Sequence, residues 1–199
     1  VFEWNNPDTL GSMGTPEKLH SALFASGMTR SGGFNIYDVA DQTDQSLLVT
    51  NVLMFIGGGS GSTAGGIKVT TLAVLLLAIL TEIRGDEHVR IHRREISDTT
   101  VRVAVAVVAA GALLVLTSVV ALTVVTGKDL QTTLFEALSA FGTVGLSNGL
   151  TASAPESGQW ILAALMFIGR IGTISFAAGL ATRHRPTRYR YPSERPIIG

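Results

Sequence analysis

From Val103 to Val125, roughly 23 positions, the chain carries no charged residue, and at about 1.5 Å per helical residue that length crosses a hydrocarbon core. A soluble helix would show a polar stripe, and this one has none. The segment predicts a transmembrane helix, and every other apolar stretch must be read with lipid in mind. The composition agrees, because 46% hydrophobic residues, 22 glycines and 15% charge in 199 residues favour a chain wetted by lipid. A formal charge of zero, from 15 basic and 15 acidic residues, gives no reason to expect a nucleic-acid partner. With no cysteine there are no disulfides and no thiolate metal sites. The first residues, Val1-Phe2-Glu3-Trp4, lack a start methionine and a signal pattern, and they read as the interior of a longer protein.

Two further apolar spans are interrupted. Ser46 to Ile56 is too short to cross, runs into Gly57-Gly58-Gly59-Ser60-Gly61-Ser62-Thr63-Ala64-Gly65-Gly66, and resumes from Ile67 to Leu80. This predicts one spanning element, 46–84, broken near its middle; irregular backbone at that depth is tolerated only where it lines water or is buried in protein. Trp160 to Leu180 contains a single charge, Arg170, which costs roughly 2.5 to 3.5 kcal/mol at a helix centre and so should face protein or a cavity. Two shorter stretches, about 17–28 and 130–142, fit re-entrant helices, and each taken alone fits an interfacial helix equally well.

Arginine placement predicts orientation. Arg84, Arg90, Arg93, Arg94 and Arg102 crowd the loop 82–102, and Arg183, Arg185, Arg188, Arg190 and Arg195 crowd the tail 183–199, which puts both in the cytoplasm.

Leu53-Met54-Phe55-Ile56-Gly57 recurs unchanged as Leu165-Met166-Phe167-Ile168-Gly169, 112 positions later. At the same offset Ser31-Gly32-Gly33-Phe34-Asn35 aligns with Thr143-Val144-Gly145-Leu146-Ser147. The expected fold is therefore an all-α membrane protein of two helix–pore loop–helix repeats, residues 1–95 and 96–199, the first lacking most of its outer helix. Its second copy has an outer helix at 101–125, a pore helix at 130–142 and an inner helix at 158–182. Paired membrane repeats of this kind commonly enclose a shared site.

Potassium filters replace an ion's water shell with backbone carbonyls, as in Thr-Val-Gly-Tyr-Gly loops. Thr143-Val144-Gly145 matches the first three residues of that pattern, and a central glycine admits the backbone angles that turn carbonyls toward one axis. The candidate ion-binding residues are Ser31, Gly32, Gly33 and Phe34 in the first copy and Thr143, Val144, Gly145 and Leu146 in the second. The 57–66 loop fails as a phosphate loop, since Ile67 separates Gly66 from Lys68 and no strand precedes it. It reads either as a plain hinge or as a gate made of Gly57, Gly58, Gly59, Ser60, Gly61, Ser62, Thr63, Ala64, Gly65 and Gly66. Arg170 occupies the repeat position of Gly58; either its guanidinium donates to loop carbonyls or a carboxylate elsewhere neutralises it. Lys68 reads as a snorkelling or C-terminal-side cation rather than a transport residue, and His20, His88, His92 and His184 lack metal spacing. No catalytic pair is found, so an enzyme is not expected.

Taken together, Glu3-Trp4-Asn5-Asn6, Thr29-Arg30-Ser31-Gly32-Gly33-Phe34-Asn35, Gly61-Ser62-Thr63-Ala64-Gly65-Gly66-Ile67-Lys68, residues Ser139 to Ser147, Gly169-Arg170-Ile171-Gly172-Thr173 and Tyr191-Pro192 make the chain resemble the membrane subunits of the Trk/Ktr/HKT potassium transporter superfamily, closest to the Ktr type. The resemblance covers essentially the whole chain. It implies four pseudo-repeats around one pore, of which this chain supplies the third and fourth and a missing N-terminal half the others. It further implies a homodimer in the cell membrane resting on a cytosolic nucleotide-binding regulatory ring. Gly33 and Gly145 would be filter glycines, the 57–66 segment the intramembrane gate and Arg170 its latch. No covalent cofactor is implied; potassium is the transported ion, and sodium stays open as a coupling ion beside a sodium-independent channel of the same architecture. Ser31-Gly32 stands where the family usually has Thr-Ala, which leaves this quarter's preference for potassium over sodium undetermined.

Overall fold

The computed structural model describes residues 2–59, 61–62, 64–86, 88–91, 94–172 and 179. Among them the chain is helical except for one short hairpin, β1 (Arg90–Ile91) and β2 (Arg94–Glu95), paired antiparallel. The helices are α1 (Thr15–Met28), α2 (Asp44–Phe55), α3 (Val69–Arg84), α4 (Asp98–Thr126), α5 (Leu130–Gly142), α6 (Leu150–Ser153) and α7 (Glu156–Phe167), the last continuing as a π-helical turn over Ile168–Gly172. The inner helix expected to reach residue 182 and the tail 183–199 lie, beyond 172, outside the described residues apart from Gly179.

Helix α4 has 29 residues, about 43 Å at 1.5 Å each. It begins three residues before the outer helix expected at 101 because the Ser97 hydroxyl caps it, accepting from the Thr100 amide, and it stops at Gly127 in a left-handed conformation. Ala104, Val107, Gly111, Val115, Val119 and Leu122, three or four apart, form its buried stripe. The opposite face is equally apolar but bare, with Leu113, Leu116, Val120 and Val124 between 57% and 79% exposed, a surface suited to lipid rather than water. Thr117, Thr123 and Thr126 donate their hydroxyls back to carbonyls one turn earlier, so none is left unpaired in apolar surroundings. Among the described residues this is the one helix long and apolar enough to cross a membrane unaided.

Helix α5 is short, yet nearly every residue from Thr133 to Gly142 is buried. It sits against α2, α4 and α7, and Phe135, Phe141, Met54, Ile67, Leu122, Leu162 and Leu165 close the core around it. At 13 residues it is too short to cross a membrane, although it is buried over most of its length. Its carbonyl end, the negative end of its dipole, points at Thr143. Helix α1 starts with Pro16 in its first turn, and Glu17 accepts from the Gly14 amide; only Ser21 on it is buried.

The sequence repeat is a structural repeat. Helix α2, Asp44–Phe55, moved by 112 positions becomes Glu156–Phe167, the span of α7. The copies part company at the next residue. Ile56 leaves the helix at ψ 88°, ahead of three glycines, whereas Ile168 at ψ −41° carries on into the π-helical turn. The break in the first inner helix therefore follows from Gly57-Gly58-Gly59, which give the backbone nothing to hold it helical.

Candidate functional site

The two glycine-bearing segments meet. Ser31 and Gly33 have φ of 65° and 72°, and their repeat partners Thr143 and Gly145 have φ of 50° and 95°. The residues between and after them, Gly32, Phe34, Val144 and Leu146, do not share this left-handed sign. The same left-handed positions, two apart, thus recur in both copies. A Cβ added to Gly33 would lie 2.9 Å from the Val144 carbonyl oxygen and 3.2 Å from Gly145 Cα, and one added to Gly145 would lie 3.2 Å from Gly33 Cα. The two backbones are thus in contact, and a side chain at either glycine would separate them. The Ser31 hydroxyl also donates to the Gly142 carbonyl across the repeats, at 3.4 Å.

The 57–66 loop touches the second of these segments at Thr143. Its neck is closed by a parallel bridge between Ile56 and Ile67, with the Gly57 amide donating to Ile67 (2.8 Å), the Ile67 amide to Phe55 (3.3 Å) and the Val69 amide to Gly58 (3.2 Å). Gly57 must be glycine, because a Cβ there would fall 2.0 Å from the Gly65 carbonyl oxygen. The Gly65 amide donates to the Thr143 hydroxyl at 3.0 Å, and the Gly66 amide donates to the Gly169 carbonyl at 3.3 Å. Phe55, at the neck, stacks on Phe141, two residues before the second glycine segment, with centroids 5.9 Å apart. Gly57, Ala64, Gly65 and Gly66 are buried and Gly59, Gly61 and Ser62 exposed, so the shoulders are packed and the tip is bare. Ser60 and Thr63 lie outside the described residues.

The cation that bonds the loop is Lys68, which the sequence alone had reduced to a snorkelling residue. Its Nζ donates to the Ala64 carbonyl at 2.5 Å and more weakly to Ser62 at 3.4 Å. Arg170 sits in the π-helical turn beside the loop with its side chain exposed, a like-charged neighbour of Lys68. Among the described residues it donates no hydrogen bond to a loop carbonyl; the contact there is made by the backbone of Gly169.

At the other end of the first segment, Glu3 ties the start of the chain to the start of α2. It is 6% exposed and accepts from the Thr9 hydroxyl (2.6 Å), the Asn6 amide (2.7 Å) and both the amide (2.8 Å) and hydroxyl (2.6 Å) of Thr43. Burial alone would push its carboxyl up, but hydrogen bonds from Ser46, Thr43 and Thr9 outweigh it and hold the pKa at about 2. Glu3 was legible only as part of a motif. The donors Thr9, Thr43 and Ser46 converge on it only after folding.

Comparison with known proteins follows the same outline. The family described as TrkH, cation transport protein, matches residues 5–185. The Ktr system potassium uptake protein B of Vibrio alginolyticus is 39% identical over all 199 residues, which make up 44% of its own length. Its namesake from Bacillus subtilis is 37% identical over the same 199 residues, again 44% of that protein. The chain thus spans less than half of these relatives. The crystal structure of the potassium transporter TrkH from Vibrio parahaemolyticus superposes with a TM-score of 0.74 at 21% identity, over 92% of this chain and 40% of that one, a likeness of fold.

Proposed function

This chain belongs to the TrkH cation transport family, a family of transporters rather than enzymes, and from that premise we propose that it forms part of a potassium uptake pathway. The ion sheds water against the carbonyls of Ser31, Gly32, Gly33 and Phe34 and of Thr143, Val144, Gly145 and Leu146, together with further repeats supplied by the rest of the protein. The observation that carries this reading is the left-handed backbone recurring at Ser31 and Gly33 and at Thr143 and Gly145, in two segments that touch. Two helix carbonyl ends, at Met28 and Gly142, close on the same region and favour a cation there. Selection by carbonyls works only if binding stays weak enough to release the ion inward, aided by about 2.3 kcal/mol per charge per 100 mV.

The loop 57–66 is the gate. Seated against Thr143, it obstructs a hydrated ion, and Lys68 and Arg170 flank it as a cationic collar. Loop 82–102 and the tail face the cytoplasm, where arginines concentrate, and a nucleotide-binding ring beneath a homodimer would act on them. Radiotracer potassium uptake by the complete protein in vesicles tests the reading. Shortening the 57–66 loop should raise the initial rate, and a rate equal to the parent's removes the gate. Running the same assay with and without sodium separates coupled uptake from a sodium-independent channel.

A further inference from the structure

The second glycine segment is clamped from behind in a way the first is not. Glu136, midway along α5, is 3% exposed and faces the chain leaving the segment. Its Oε1 accepts from the Ser147 hydroxyl and from the Asn148 amide (3.1 Å), and its Oε2 accepts from the Thr151 hydroxyl (2.8 Å). One turn on, the Ser139 hydroxyl donates to the Leu146 carbonyl, and one turn back the Asn148 side chain donates to the Thr132 carbonyl (3.2 Å). Residues 146 to 151 are therefore fastened to α5 from Thr132 to Ser139, with the buried carboxylate accepting three of the bonds.

The repeat supplies the control. At the 112-residue offset Glu136 corresponds to Phe24 and Ser139 to Gly27, neither of which offers a side-chain hydrogen bond. Among the described residues no side-chain hydrogen bond joins the outgoing segment of the first copy to α1, and Phe34 and Ile36 are 70% and 48% exposed.

We infer that Glu136 is a positioning residue for ion preference: it fixes the outer end of the Thr143–Leu146 segment so that its carbonyls keep their spacing, while the Ser31–Phe34 quarter has no such clamp. This rests on the filter reading above. Carbonyl number and placement decide which ion is favoured, so a side chain that never touches the ion alters preference by letting those carbonyls relax. Removing the carboxylate strands three donors, and the loss of even one such bond corresponds to about a tenfold change in an equilibrium.

The test uses the complete protein in vesicles, measuring initial potassium and sodium influx at a fixed potential for the parent, Glu136→Ala, Glu136→Gln and the double variant Ser147→Ala, Thr151→Val. Glu136→Ala should lower the potassium-to-sodium ratio roughly tenfold while potassium still enters, and Glu136→Gln, which keeps an acceptor, should stay within about threefold of the parent. If Glu136→Ala fails to insert, the double variant loosens the same clamp from the other side and should lower the ratio. A parental ratio in Glu136→Ala, or in the double variant where Glu136→Ala cannot be made, overturns the inference. Gly145→Ser separates the two levels: if it too leaves the ratio unchanged, the filter reading fails, and if it alone collapses the ratio, Glu136 is merely structural.

Discussion

Replacing Lys68 by methionine keeps an unbranched apolar stem out to Cε and removes the three N–H donors at its tip. In the parent, Lys68 Nζ makes a charge-assisted bond to the Ala64 carbonyl at 2.5 Å and a long one to Ser62 at 3.4 Å. The first is worth about 1.5 to 3 kcal/mol where desolvated, and the side chain's partial exposure puts it at the low end; the second adds little. A loss of about 1.5 kcal/mol shifts the loop's closed-to-open ratio roughly tenfold. If the seated loop is the resting state, initial potassium uptake by the complete protein should rise by about the same factor. Arg170→Ala should raise it too, but by less, since among the described residues Arg170 donates no bond to the loop carbonyls. Radiotracer uptake within the first seconds after mixing measures both. A Lys68→Met rate equal to the parent's, in the same experiment where a shortened loop raises uptake, refutes the role of Lys68 without touching the gate.

Three further outcomes are expected. Gly145→Ser must hold a side chain at φ 95° against Gly33, a left-handed cost of about 1 to 2 kcal/mol before any crowding, so potassium preference over sodium should fall about tenfold; an unchanged ratio removes Gly145 from the filter. Gly57→Ala places a methyl against the Gly65 carbonyl and should open the loop's neck, raising uptake and the hydrogen exchange of the Gly57 and Ile67 amides, whereas parental exchange at both would contradict the geometry. Glu3 has a folded pKa depressed from 4.5 to about 2, so its stabilisation is complete above pH 4.5 and lost as pH falls toward 2, amounting to about 3 kcal/mol. Thermal unfolding followed across that window should lose part of its pH dependence in Glu3→Gln, and identical profiles would sink the assignment.

Much of the fold was legible because it depends on period and repetition. The charge-free run from Val103 marked α4, and the five-residue repeat at 53 and 165 anticipated that α2 and α7 would be equivalent helices. Glycine spacing pointed to the two segments that meet and to the break after Ile56. What stayed hidden depends on chain returning to chain. Lys68 looked like a surface cation because its acceptor, the Ala64 carbonyl, becomes reachable only once the loop has folded back over its own neck. Glu136 gave no signal in the sequence, since its three donors lie 11 to 15 positions downstream and converge only after the second segment turns. The hairpin at Arg90–Glu95 gave no alternating pattern to read, being two residues a side. Cap chemistry, not hydropathy, set the helix ends at Asp98 and Thr15.

The central claim is that a dehydrated cation sits between the Ser31–Phe34 and Thr143–Leu146 backbones. Crystals of the complete protein soaked in rubidium or thallium would locate it by anomalous scattering. Peaks lying within coordination distance of those carbonyls, and displaced by excess potassium, are the expected result. Ordered ions found elsewhere along the protein, with none between Gly33 and Gly145, would contradict it.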